Sequence, residues 1–226
     1  MTNMTYKTNR TNPTSSRRAG LRRASRTNGA NPSYTSYPSY RSCPQKSPLI
    51  LPHGGYRKLL SYQMASLIYD LTVIFCKKFL DPKSRTNDQM IQAGRSGVQN
   101  IAEGSQASGT SKKTELKLVG VARSSLEELL RDYEDFLRQR GLPLWNKDAP
   151  QVRAIRALSY RTDKTHRTYM TYMTNPETAA NCLICLIHQT NYLLDKQLQR
   201  LEEDFVKNGG FTERLYKIRK NAREEG

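Results

Sequence analysis

Apolar residues recur at three- and four-residue spacing through four long stretches of the chain, and none of these shows the period-two alternation of a half-buried strand. The first stretch predicts a helix from about Tyr56 to Leu80, with Leu60, Met64, Leu67, Ile68, Leu71, Ile74, Phe75 and Phe79 on one face. Asp81-Pro82 ends it, because a proline pushes the residue before it out of the helical region. Thr86 and Gln89 have capping-box spacing and open a second helix through Glu103, whose inner face is Met90, Gly94, Gly97, Val98, Ile101 and Ala102. Its small residues permit close backbone approach. Gly104 reads as a left-handed C-cap and Ser111 as the N-cap of a third helix to about Arg140. That helix carries Leu118, Val119, Ala122, Leu126, Leu129, Leu130, Tyr133, Phe136 and Leu137, and Gly141 and Pro143 stop it.

After Trp145 a shorter helical pattern runs from Pro150 to Tyr160, followed by a Thr/Tyr/Met repeat at 168–175. The repeat reads as a low-complexity expansion in an inter-helix loop, within an insertion at about 142–175. Asn175-Pro176-Glu177 then supplies an N-cap, a proline at the first helical position and an acid at the positive helix end. The fourth helix presents Leu183, Ile184, Ile187, Asn191, Leu194, Leu198, Leu201 and Phe205 and stops near Asn208-Gly209-Gly210. The expected fold is all-α: an antiparallel up-down four-helix bundle over 56–207, with a short C-terminal extension at 208–226. By periodicity the extension is a short basic helix with Phe211, Leu215 and Ile218 on one side.

Charge changes the picture at the other end. Of the 226 residues, the first 58 hold eleven Lys or Arg and no Asp or Glu, so eleven of the seventeen net positive charges lie there and six on the rest. Residues 1–55 read as a disordered basic arm, with too little apolar surface to offset the entropy of ordering. A second low-complexity repeat, at 32–42, interleaves Tyr, Ser and Pro. Such an arm favours polyanions, nucleic acid or anionic lipid, through counterion release, and a solubilising tail is the plain alternative. Arg17, Arg18, Arg22 and Arg23 form its densest cluster.

No apolar run approaches the roughly 20 residues of a transmembrane helix. The first residues lack the apolar region of a secretory signal, although Arg and Ser without acids are also a transit-peptide composition. Four cysteines, Cys43, Cys76, Cys182 and Cys185, fall short of a disulfide scaffold and suit a reducing cytoplasm.

Candidate chemistry is sparse. Cys182-Leu-Ile-Cys185 has the spacing of half a zinc site, with His188 one turn on, but it lies in an apolar stripe and lacks a second pair. Core packing of small apolar thiols is the reading, with no metal and no cofactor. Glu127-Glu128 and Glu202-Glu203-Asp204 read as solvated faces or inter-helix pairs. No nucleophile motif, phosphate loop or carboxylate pair points to an enzyme. Asn100 and Glu103, three residues apart, are read as a buried amide and carboxylate tying the second helix to a neighbouring helix or subunit. Arg95 with Lys112, Lys113 and Lys117 makes a candidate anion-binding face, with a solvated surface as the alternative.

The stretch Asn100-Ile-Ala-Glu-Gly104, followed by Ser111-Lys-Lys-Thr-Glu-Leu-Lys-Leu and Ala122-Arg-Ser-Ser-Leu-Glu-Glu-Leu, resembles the four-helix-bundle family named after proteins encoded in 23S rRNA intervening sequences. The resemblance covers about Tyr56 to Phe205, and the ending from Gly209 to Lys220 is similar to the suffix extension of one branch. It is also similar to the accessory proteins of diversity-generating retroelements. What the resemblance implies is a homo-oligomer, a pentameric ring, with RNA or DNA, or a protein partner such as a reverse transcriptase. The combined expectation is a non-enzymatic scaffold that binds structured nucleic acid, RNA ahead of DNA. The alternative is a protein-interaction adaptor.

Overall fold

The computed structural model describes residues 48–159 and 165–224, and among these the chain is all-helical, with no strand. The helices are α1 (Leu60–Phe79), α2 (Arg85–Ala107), α3 (Lys112–Gln139), α4 (Pro150–Leu158), α5 (Pro176–Asn208) and α6 (Phe211–Glu224). The predicted first helix is cut at its start. Tyr56–Lys58 is a single 3-10 turn, and Leu59 is extended before α1 begins. Leu60 accordingly stays exposed, and the buried face starts at Ser61, with Met64 its first apolar residue. Residues 48–55, assigned to the arm on composition, lie against α2, where the Gly54 amide donates to the Ser105 carbonyl (3.0 Å).

The side-chain caps follow the polar residues at the helix starts. Ser111 Oγ accepts from the Thr114 amide (3.2 Å) and Asn175 Oδ1 from the Thr178 amide (2.9 Å), satisfying donors that each first turn leaves unpaired. At α2 the cap is Ser84, whose Oγ accepts from the Thr86 amide (3.3 Å), and not Thr86 with Gln89. The turn after Asp81-Pro82, closed by the Ser84 amide on the Asp81 carbonyl (2.9 Å), leaves Ser84 extended and Thr86 already inside the helix.

Gly104 is not a C-cap. It is buried inside α2, which runs on to Ala107, and positive φ among the described glycines is confined to Gly54, Gly141 and Gly209. A Cβ at Gly104 would stand 3.4 Å from both the Glu115 carbonyl oxygen and Leu118 Cβ, so the glycine marks the closest approach of α2 to the start of α3. That spacing is van der Waals contact. Gly104→Ala is therefore expected to raise the urea midpoint, since helix propensity gains about 1 kcal/mol and packing takes back a part. A left-handed cap would give a lower midpoint instead.

Neighbouring helices run in opposite directions. Tyr69 and Cys76 of α1 meet Gly94 and Asn87 of α2, so the register descends on one helix as it climbs on the other. The same holds for Gly104 and Gly97 of α2 against Val119 and Leu126 of α3, and for Arg123 and Glu127 of α3 against Asp195 and Asn191 of α5. Ser61 on Gln197 ties α1 to α5. Helices α1 and α3 meet through their long side chains in the centre. There the rings of Phe75, Tyr133 and Phe136 pack edge-to-face at 4.8–4.9 Å, and the Tyr133 hydroxyl donates to Thr72 Oγ1 (2.9 Å).

The segment between α3 and α5 is packed, contrary to the loop expectation. Val152 and Ile155 of α4 are buried, and the repeat forms a 3-10 helix, His166–Thr174, that buries Tyr169 and Met173 completely. Its short repeat reads as a low-complexity expansion, yet two of its apolar side chains enter the core. Asn181, 2% exposed, clamps the entry to this segment: its Oδ1 accepts from the Trp145 amide (2.8 Å) and its Nδ2 donates to the Pro143 carbonyl (2.9 Å). The Trp145 indole reaches Glu177 (2.8 Å). Among the described residues no helix is long and apolar enough to cross a membrane.

Candidate nucleic-acid interface

Arg17, Arg18, Arg22, Arg23 and Cys43 lie outside the described residues, as does the repeat at 32–42. Of the remaining candidate cations, Arg95, Lys113 and Lys117 are exposed. Lys112 is half-buried and paired, with its Nζ 3.3 Å from Glu115 Oε2 and 3.6 Å from Asp204 Oδ2. It holds the start of α3 to the end of α5 and is not a free cation. Arg95 is not brought beside the lysines either. Its neighbour Gly94 touches Leu129, so antiparallel packing sets Arg95 about 18 Å along the helix axis from Lys117. The four residues thus do not form one face, and the basic surface at the start of α3 reduces to Lys113 and Lys117.

Asn100 and Glu103 also depart from expectation. Asn100 is half-buried, and its Nδ2 donates within its own helix, to the Ser96 carbonyl (2.9 Å) and Ser96 Oγ (3.1 Å). Ser96 Oγ in turn meets Ser125 Oγ at 3.0 Å, so the link to α3 is made by a serine pair. Glu103 faces solvent. The carboxylate that is buried is Glu115, 8% exposed, whose carboxyl is raised by desolvation against the opposing pull of Lys112.

The acids read as inter-helix pairs behave so at two places, Asp204 with Lys112 and Glu127 across to α5. Glu127 Oε2 accepts from Arg123 Nη1 (2.6 Å) and Asn191 Nδ2 (3.2 Å), and Arg123 Nε also reaches Asp195 (3.1 Å). Cys182 is fully buried and Cys185 nearly so, while His188, one turn on, is exposed. Burial pushes the Cys182 thiol far up and that of Cys76 to about 12, which makes both inert as nucleophiles at neutral pH. Among the described residues no group of three His, Cys, Asp or Glu is placed to hold a metal.

Asp132 carries a titration that composition did not reveal. Partial burial, with Glu128 and Asp135 nearby on α3, pushes its carboxyl up to about 6. The folded chain then holds this proton more tightly than the unfolded chain, whose carboxyl titrates near about 4. Stability contributed by the protonated form is therefore lost as pH rises from about 4 to about 6, and stays lost above. Asp132→Asn is expected to raise the melting temperature at pH 7 and leave it nearly unchanged below pH 4. Equal melting temperatures at both values would contradict the shift.

One basic surface was missed. Helix α6 exposes Tyr216 together with Arg219, Lys220 and Arg223. The signal was present in the sequence, as a tyrosine followed by cations three, four and seven residues on, but the apolar stripe Phe211, Leu215 and Ile218 drew the reading to the opposite side. Those three are half-buried, as that stripe implies. Comparison with protein-family models, with curated proteins and with solved structures finds no match to this chain.

Proposed function

We propose that α1, α2, α3 and α5 form an antiparallel up-down four-helix bundle that acts as a non-enzymatic, homo-oligomeric scaffold for structured nucleic acid, RNA ahead of DNA. The opposed registers of successive long helices support the bundle. The observation that carries the function is the placement of charge: eleven of seventeen net positive charges lie on the first 58 residues, without one acid among them. A dense cationic segment binds phosphates by releasing their counterions, with little regard to sequence. RNA comes ahead of DNA, and a five-membered ring is the expected assembly, through the resemblance to the rRNA intervening-sequence family. Buried free thiols at Cys76, Cys182 and Cys185 suit a reducing, cytoplasmic setting.

Self-association does not draw on the small residues of α2. Gly94, Gly97 and Gly104 are taken up by contacts with α1 and α3 of the same chain. Outward-facing Val121 (47% exposed) and Tyr192 (62% exposed) offer apolar surface on α3 and α5 instead. The test of the function is fluorescence anisotropy of a labelled RNA across a salt series, for the full chain and for one with Arg17, Arg18, Arg22 and Arg23 replaced by Ala. No RNA binding by the full chain at any salt would move the reading to the protein adaptor, of which a reverse transcriptase is the partner the resemblance suggests.

A further inference from the structure

Helix α6 has fourteen residues and buries none of them. A helix of that length is marginal in water by itself, and helices in proteins are held mainly by packing of an apolar face. Here the internal hold is slight. Phe211, Leu215 and Ile218 are half-covered, the Gly210 amide donates to Glu213 Oε2 (2.9 Å), and Arg214 Nη1 donates to the Leu49 carbonyl (3.2 Å). The opposite side is open. Tyr216 is 69% exposed there, and Arg219, Lys220 and Arg223 follow it at helical spacing along a shallow groove of about 550 Å³. Glu224 is the acid on this groove, 3.8 Å from Lys220.

We propose that this face of α6 is a binding site for single-stranded RNA, in which Tyr216 stacks on an unpaired base while Arg219, Lys220 and Arg223 engage the flanking phosphates. The inference rests on the reading of RNA as ligand and adds to it a defined site and strandedness. Charge and shape both select this occupant. Three cations against one acid attract a polyanion, and the apolar surface that accompanies them is one exposed aromatic ring and half-buried Leu215. A ring beside guanidinium groups is the combination that holds unpaired bases without sequence preference. A lipid surface would call for several exposed aliphatic residues on this face, and Leu215 and Ile218 of α6 are both half-buried.

The experiment measures affinity of the full chain for oligouridylate, which does not fold, across a salt series, with an RNA duplex and anionic vesicles as competitors. Arg219→Ala/Lys220→Ala/Arg223→Ala is expected to flatten the log–log salt slope by about 2, at roughly 0.7 per phosphate on a single strand. Tyr216→Ala is expected to weaken binding about 10-fold with the slope unchanged, and Tyr216→Phe to keep it, since stacking needs the ring and not the hydroxyl. The duplex should compete poorly. All of these residues are exposed or near-exposed, so the variants keep their fold. Wild-type affinity and slope in the triple variant and in Tyr216→Ala, alongside lost binding in the four-arginine arm variant, would overturn the α6 site and leave the arm reading standing. No binding of any RNA by the wild type would overturn both. Competition by vesicles but not by unlabelled oligouridylate would assign the face to lipid and overturn it as well.

Discussion

Replacing Phe75 by alanine is expected to destabilise the chain by about 4 kcal/mol, measured as a lower urea midpoint at unchanged m-value. The ring is fully buried and lies 4.8–5.3 Å from those of Phe79, Tyr133 and Phe136. Truncation removes the transfer energy of the ring and leaves a cavity whose walls cannot collapse, because Tyr133 is also pinned to Thr72 by its hydroxyl. Phe75→Leu should cost far less, about 1 to 1.5 kcal/mol, because it keeps most of the volume and loses mainly the edge-to-face contacts. Comparable losses for the two variants would mean that ring geometry, and not filled volume, holds α1 to α3.

The second large effect is expected in binding. With about six arm cations on phosphates, single-strand counterion release gives the arm a share of about −4 in the log–log salt slope, a fall in affinity of about 250-fold between 50 and 200 mM salt from the arm alone. Removing Arg17, Arg18, Arg22 and Arg23 together should flatten the slope by roughly 3 units and reduce that fall to about 4-fold. Lys113 and Lys117 are expected to contribute less, and Lys112 least, because its charge is already opposed by Glu115 and Asp204. In a ring, several copies of the two exposed lysines would act on one ligand and gain by linkage. Equal slopes for wild type and the four-arginine variant would reject the arm as the binding element.

Most features set by neighbours in the chain were legible, the Ser84 cap of α2 being an exception, and features set by distant partners were not. Ser111 and Asn175-Pro176 announce their helices because a cap is decided within three residues. The α6 stripe needed only its own periodicity. Gly104 misled, because a glycine after an apolar run suits both a left-handed cap and a close helix contact, and Leu118 with Glu115 across the turn decides between them. Lys112 looked free because Asp204 lies far along the chain. Asn181 reads as one polar residue in an apolar stripe until Pro143 and Trp145 supply its partners. The assumed tie through Asn100 and Glu103 failed for a local reason: Ser96, one turn back, captures the amide.

The Thr-Tyr-Met unit at 168–173 has three residues, and the 3-10 helix in which it lies has three residues per turn. That period is broken at Met173, where the backbone leaves the helical region (φ −84°, ψ 22°), so the two units are not equivalent: Tyr169 and Met173 are buried and Met170 is exposed. Gain or loss of one unit would therefore not return each side chain to its place, and the core positions of Tyr169 and Met173 fix the length of this segment as well as its sequence.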